Sequence, residues 1–455
     1  MRELRAGFAR LDITPPLGIP IAGYYELRPA DGILDPLYAS AVVFDDGVKR
    51  GVLLNLDVIG LNQFHADQIR EAVAERLGTE AQGVFVECSH THTGPVCDTL
   101  SAGYSPEHRE KIKSYFTWLI SRLCDAAALA AQDLAPVRLL HTSGKADKVA
   151  FIRRYRMQDG SILTNPGALS PFAKEPVGEA DENVQLLILR RENAKEIGIV
   201  NFQVHPDVIG GCKLSADYPK YVRDTYEKLI DNSWCVYING AQGDTNHNDI
   251  SLYGTDKCIR GLARARYMGR KIAMAAVANY ELAEPLEGGA VSWDQRNIVV
   301  QYNKGLPEEY PLAAEMGKVY AQYGQEEGIR QIARIKGITE YTAGKTELRR
   351  LLRINSLAQM PDEKELHLAA LAVGSVVFAG FPGEPFTQIG REVKARSAYA
   401  LTITACCANG SEGYYPVRSA YEEGGYEAAV ARYRVGTAEA ITEASIDMIN
   451  QMAGE

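Results

Sequence analysis

The chain has no apolar run long enough to cross a bilayer. Its longest, Leu368 to Phe381, is broken by Gly374-Ser375 and falls short of the ~20 residues a spanning helix needs, so it reads as two buried strands and a turn. The stretch Met1-Arg2-Glu3-Leu4-Arg5-Ala6-Gly7-Phe8 has no apolar centre and no small-residue cleavage site, so it does not read as a secretory leader and a cytoplasmic location is expected. Cysteine is spread thinly, at 88, 97, 124, 212, 235, 258, 406 and 407, without CxxC spacing, which favours reduced thiols over a disulfide framework. Positive charge is in deficit: a net charge of -9 repels phosphate backbones and excludes the usual electrostatic footprint of a nucleic-acid binder. No Gly/Ser-rich or Pro-rich linker and no repeat divides the chain, so one domain over residues 1–455 is expected. Nucleotide-binding loops are missing as well. Gly344-Lys345-Thr346 resembles the end of a Walker loop, but the glycine required five positions before Gly344 is Thr339, and no Gly-x-Gly-x-x-Gly follows a strand.

What is present is ordinary globular material, with 46% hydrophobic and 24% charged residues. Short β-rich runs alternate with amphipathic helices throughout, the pattern of an α/β fold. The spacing predicts strands at Ala41–Phe44, Gly51–Ile59, Gly83–Glu87, Val184–Leu189, Ile197–Val204, Cys235–Asn239, Leu366–Val373, Val376–Ala379 and Leu401–Cys407. Helices are predicted at Ala66–Leu77, Pro106–Ala131, Tyr218–Ile230, Ile259–Tyr280, Pro311–Tyr323, Pro385–Ser397 and Tyr426–Met448. The charged, helical segment at about 307–360 reads as an insertion or lid. Arg349-Arg350 and Arg264-Ala265-Arg266 fall on predicted helices and read as solvated faces.

Polar residues gather where strands end, the place open α/β sheets reserve for ligands. After Gly83–Glu87 comes Cys88-Ser89-His90-Thr91-His92-Thr93-Gly94-Pro95; in extended chain, residues i and i+2 point the same way, so His90 and His92 can address one site. Asn201-Phe202-Gln203-Val204-His205-Pro206 delivers a second strand-end histidine, and the proline turns the chain out of the sheet. Asn239-Gly240-Ala241-Gln242-Gly243-Asp244-Thr245-Asn246-His247-Asn248 runs into a polar loop that is equally compatible with a turn. Glu384, in Phe381-Pro382-Gly383-Glu384-Pro385, taken alone is most simply a charge complementing a helix N-terminus. Asn409-Gly410-Ser411-Glu412-Gly413-Tyr414-Tyr415 closes the series. Histidines and a carboxylate on separate strands suggest a zinc site with room for water, and such an ion lowers the pKa of bound water to about 7, which points to hydrolysis.

The order of these segments, from Ala6-Gly7-Phe8-Ala9-Arg10-Leu11-Asp12-Ile13-Thr14-Pro15-Pro16 through His90-Thr91-His92-Thr93-Gly94-Pro95, His205, Gly243-Asp244 and Pro382-Gly383-Glu384 to the late tyrosines, resembles the catalytic domain of neutral (non-lysosomal) ceramidases. The resemblance runs from about residue 6 to residue 435. It implies two central β-sheets flanked by helices and a zinc-dependent amidase. From the sequence itself a small-molecule substrate and no membrane insertion are expected. It further implies His90, His205, Glu384 and Tyr414 as zinc ligands and His92 beside the metal. Arg153, with Arg154 as the competing assignment, and Tyr426 would stabilise the oxyanion.

One departure stands out. The family carries a catalytic serine two residues after its Gly-Asp, and this chain has Asn246 there, whose carboxamide is no nucleophile. Direct attack by metal-activated water is therefore expected, with Asn246 orienting water or the carbonyl, His92 or Asp244 moving protons, and Thr245 and His247 as neighbours that contact substrate. The family's enzymes are also secreted or membrane-exposed and carry a further β-rich domain, so a soluble, non-ceramide N-acyl substrate is expected here. Two alternatives remain at this level: an esterase or lactonase using the same groups, or a degenerate binding protein, for which Asn246 is the motivating residue.

Overall fold

A computed structural model describes residues 3–98, 104–255 and 259–454; Cys258 lies outside them, and the other seven cysteines are free thiols. The first of two principal sheets is nine-stranded. It is built from β1 (Arg5–Asp12), β2 (Tyr38–Asp45), β3 (Arg50–Leu56), β4 (Val84–Cys88), β5 (Ala135–Lys145), β6 (Asn183–Arg191), β7 (Glu196–Phe202) and β8 (Ser233–Asn239), in the order β8-β7-β6-β5-β1-β2-β3-β4, with Glu284–Leu286 added on β5. The second is four-stranded, with β9 (Val291–Gln301), β10 (Glu363–Val373), β11 (Val376–Gly380) and β12 (Leu401–Ala405) side by side.

The inner faces of the two sheets pack on each other. Phe8, Phe44, Phe85, Ile199 and Val236 from the first meet Leu371, Phe378 and Ile403 from the second, and each such side chain contributes about 1.5–3 kcal/mol by leaving water. Helices close the outer faces, as alternating burial along the strands requires. α1 (Gln63–Leu77) and α2 (Pro106–Gln132) cover one part of the first sheet, and α3 (Asp217–Leu229) and α4 (Gly261–Val277) another. The charged segment forms α5 (Tyr310–Lys336) and α6 (Tyr341–Leu357), joined by an apolar cluster of their own. α7 (Thr387–Arg396) and α8 (Thr437–Gly454) cover the second sheet.

Most neighbouring strands of the two principal sheets are antiparallel; their three parallel pairs among the described residues position the site. β3–α1–β4, β7–α3–β8 and β11–α7–β12 are each a strand–helix–strand crossover, so each pair releases its loops at the same, C-terminal end. The three ends are stitched together by the backbone. The Cys406 amide donates to the Asn239 carbonyl (2.9 Å), the Asn409 amide to the Val86 carbonyl (2.8 Å), and the Asn239 amide to Glu87 Oε1 (3.1 Å). The tail of β12 is thereby wedged between β8 and β4, the two edges of the first sheet.

Differences from the expected elements have local causes. The predicted helix Tyr426–Met448 is two helices, Tyr426–Val430 and α8, because Tyr433 bridges to Tyr302 and Gly436 adopts a left-handed φ of 97°. α5 runs past the predicted Tyr323 to Lys336, with a break at Gly324 (φ 80°). β1, β5 and β9 were not expected, because their exposure is mixed rather than a clean apolar run.

Candidate active site

His90 and His92 leave β4, and His205 leaves β7. Their ligand-capable atoms lie within 4.8 Å of one another, and all three side chains are buried. His90 holds a left-handed φ of 69°, a conformation that costs a β-carbon of order 1–3 kcal/mol. Two amide bonds over-determine it: Ser89 donates to the Leu56 carbonyl (2.9 Å) and His90 to that of Val58 (3.0 Å).

Each ring is oriented from behind. His90 Nδ1 lies 2.7 Å from the Ile59 carbonyl oxygen, and His205 Nδ1 lies 3.1 Å from that of Gln242. A carbonyl can only accept, so both Nδ1 atoms are protonated in the neutral rings and both Nε2 atoms carry lone pairs. Those lone pairs face Glu384 Oε2, at 3.3 Å from His90 and 3.1 Å from His205, while His92 Nε2 lies 3.4 Å from His90 Nε2. His205 Nε2 is buried with no hydrogen-bond donor near it among the described residues. Buried acceptors converging on one point repel unless a cation stands between them, and carbonyls holding Nδ1 are the usual outer support of metal-binding histidines. The residues therefore fit a metal ion.

The charges call for a positive centre at this point. Burial opposes charge on His90, but the Glu384 carboxylate outweighs it and raises the pKa, which favours a proton or a metal ion at its Nε2; for His92 and His205 burial prevails and holds both low. Burial would raise the Glu384 pKa, and the facing histidines instead keep it well below the carboxylate norm.

Glu384 and Tyr414 sit opposite each other on a two-residue parallel bridge, with the Glu384 amide donating to the Gly413 carbonyl (2.9 Å). The Tyr414 ring stacks against His205 at 6.3 Å and meets Tyr426 edge-on at 5.9 Å. Arg153 stands over Tyr414, its guanidinium 5.2 Å from the ring centroid, anchored by Glu427 Oε1 (2.7 Å) and the Gly243 carbonyl (2.6 Å). Gly243 packs so closely on Glu384 that a β-carbon there would fall 2.5 Å from the Glu384 carbonyl oxygen.

The remaining sequence candidates lie around this centre in supporting places. Asp244 Oδ1 accepts from the amide (2.8 Å) and hydroxyl (2.7 Å) of Thr387, at the start of α7. Thr245 Oγ1 is taken by the carbonyls of Gln203 (3.3 Å) and Gln242 (3.2 Å). Asn246 donates to Asn165 Oδ1 (2.5 Å) and accepts from the Asn248 amide (3.0 Å), which locks its carboxamide. His247 is buried, with a pKa lowered to about 3 by burial and no partner on either ring nitrogen among the described residues. Arg154 turns away to Glu423 (3.1 Å) and the Gly424 carbonyl (2.9 Å).

A cavity of about 620 Å³ opens onto the centre. His92, Arg153, Tyr414 and Tyr426 line it, and so do Tyr341, Thr342, Lys345, Thr346 and Arg349 of α6, so the charged segment forms one wall. A second, more apolar cavity of about 880 Å³ shares Thr164, Thr346 and Tyr426 with the first and is lined by Ile162, Leu163, Leu169, Phe172 and Ile338. This corrects the reading of the arginine runs as solvated faces for every arginine in them but Arg266, which is exposed. Arg349 is half-buried at the cavity, Arg264 is buried, and Arg350 is paired with Glu309 at 2.7 Å. Sequence analysis met Lys345 only in a failed Walker match and Arg349 only as a solvated face; their i, i+4 spacing in the charged helical segment was the available signal.

Residues 4–229 match the family model for neutral/alkaline non-lysosomal ceramidase, N-terminal. That span carries His90, His92, Arg153 and His205. Two solved structures share the fold along 100% of this chain. Neutral ceramidase from Pseudomonas aeruginosa is 18% identical, with a TM-score of 0.74 and 75% of its own length covered. A ceramidase complexed with C2 is 16% identical, with a TM-score of 0.71 and 76% of its length covered. No helix among the described residues is long and apolar enough to cross a membrane. With its buried histidine cluster, its paired sheets and the match over residues 4–229, the chain belongs to the neutral/alkaline non-lysosomal ceramidase family of hydrolases.

Proposed function

We propose that this protein is a zinc-dependent amidase that hydrolyses an N-acyl small molecule other than ceramide. The observation that carries the reading is the convergence of the Nε2 atoms of His90 and His205 on the Glu384 carboxylate, with His205 Nε2 left without a hydrogen-bond partner among the described residues. His90, His205, Glu384 and Tyr414 would hold the ion, which when bound supplies Lewis acidity toward a carbonyl and activation of water.

The side chains supply the rest. Arg153, fixed by Glu427 and the Gly243 carbonyl, presents its guanidinium to the substrate oxygen beside the Tyr426 hydroxyl; one such donor is commonly worth about 3 kcal/mol in the transition state. His92 lines the cavity and reaches the same point as His90, so it is the group placed to pass a proton from water to the departing nitrogen. Asp244 is committed to Thr387, so the proton-moving part considered for it passes to His92 and Asp244 serves to position the loop. Position 246 has no hydroxyl and its carboxamide is locked, so water is the nucleophile.

The test is a matched pair of substrates, an N-octanoyl amide and the O-octanoyl ester of the same head group, offered to zinc-loaded protein and to Glu384→Ala. Amide cleavage that disappears in the variant supports the reading. Cleavage of the ester alone, or binding without turnover of either, overturns it.

A further inference from the structure

The cavity in front of the histidines is cationic on one side, although the chain as a whole is acidic. Lys345 and Arg349 stand one turn apart on α6, both half-buried and both lining that cavity, with Arg260 on the same lining. Lys345 makes no salt bridge or hydrogen bond among the described residues; the carboxylates that act on it, Glu26 and Glu326, are not within bonding distance. Arg349 has no carboxylate partner either. Its guanidinium lies 4.1 Å over the Tyr25 ring and 5.3 Å from that of Tyr426, one amino group reaches Gln325 Oε1 (3.1 Å), and its Nε is buried without a partner. Among the described residues, the one carboxylate lining the cavity, Asp207, is engaged by the Tyr24 hydroxyl and sits 3.9 Å from His92 Nδ1. The first-turn amides of α6 are already capped by Glu340, so the helix end is not what is left open.

Two half-buried cations without counter-ions are costly, and they line the cavity in which the head group of an amide substrate would sit. Resting on the amidase reading above, we infer that Lys345 and Arg349 form an anion subsite, so the substrate class is N-acyl compounds whose amine portion carries a carboxylate or phosphate, with the acyl part entering the adjoining apolar cavity. Stacking fixes the plane of Arg349 and leaves its Nε edge to donate, while Lys345 supplies a mobile point charge.

The experiment compares N-octanoylglycine, N-octanoylglycinamide and N-octanoyl-O-phosphoethanolamine with zinc-loaded protein, by calorimetric binding and by turnover, in wild type, Lys345→Glu, Lys345→Arg and Arg349→Gln. Wild type should bind the acid over its amide by about ten-fold or more, with Lys345→Glu abolishing or inverting that ratio and Lys345→Arg restoring it. The relative affinity for the phosphate compound tells which anion the subsite prefers. Equal binding of acid and amide, or a ratio unmoved by Lys345→Glu while Lys345→Arg folds, overturns the subsite. Hydrolysis without charge preference would sink the subsite and leave the amidase standing; charge-selective binding without hydrolysis would do the reverse.

Discussion

Gly243 gives a perturbation whose size can be read from the structure. A β-carbon added there would lie 2.5 Å from the Glu384 carbonyl oxygen and 3.0 Å from that of Pro385, against 3.4 Å where ordinary contact begins, so 0.9 Å of overlap (3.4 less 2.5) must be relieved by backbone movement. No flexible side chain can give way. The loop that would shift holds the Gln242 carbonyl behind His205 Nδ1 and the Gly243 carbonyl that anchors Arg153. Gly243→Ala should therefore destabilise the fold by about 1–3 kcal/mol, as overpacking does. It should also weaken zinc binding by roughly 10–100-fold, the usual effect of disturbing the support of a ligand. Gly288→Ala is the control, since the nearest atom to its added carbon is Leu4 Cδ2 at 3.9 Å. Competition with a chromophoric chelator measures the affinity, and urea unfolding of metal-free protein measures the stability. Wild-type zinc affinity in a folded Gly243→Ala protein would refute the argument that this loop orients His205.

Other expectations follow from single contacts. Arg153→Met should lower kcat on an N-acyl amide by about 10²–10³ while KM changes little, measured by steady-state kinetics; an equal rise in KM would assign Arg153 to ground-state binding instead. Asp57 and Arg223 form a fully buried, bidentate ion pair at 2.9 and 2.6 Å, so Asp57→Ala should cost about 3–5 kcal/mol in urea unfolding, and a loss under 1 kcal/mol would contradict that. His247, pushed down to about 3 by burial, is neutral in the folded protein while the unfolded residue titrates at about 6.5, so protons bind the unfolded state preferentially as pH falls below 6.5. Metal-free protein should accordingly lose about 2 kcal/mol between pH 7 and pH 5 through this residue, a slope that flattens in His247→Asn; parallel pH profiles for the two proteins would rule it out.

Most strands and the polar strand ends that carry His90, His92 and His205 were legible because both depend on chain-local signals. Apolar β-branched runs such as Val84-Phe85-Val86 and Ile197–Val200 announce strands buried on both faces, and each ends in polar residues that the crossover geometry gathers at one end. β5 and β9 escaped notice because each has one poorly covered face and so no apolar run. The assignment of Glu384 needed more than its neighbours in sequence, since its partners His90 and His205 come from other crossovers. Lys345 and Arg349 were illegible for the opposite reason. Their helix has an ordinary amphipathic pattern, and only its docking beside Tyr25 and Tyr426 turns a charged face into a cavity wall. The break before α8 likewise depends on Tyr433 finding Tyr302, a contact between distant segments.

The central claim is a metal-dependent active centre on His90, His205 and Glu384, and metal content tests it most directly. Untagged protein after exhaustive dialysis, measured by plasma mass spectrometry beside Glu384→Ala, should contain about one zinc per chain, the complement of a single tetrahedral site, with the metal lost in the variant. Protein that carries no zinc and takes up none on addition, or a Glu384→Ala variant that retains it in full, would contradict the account.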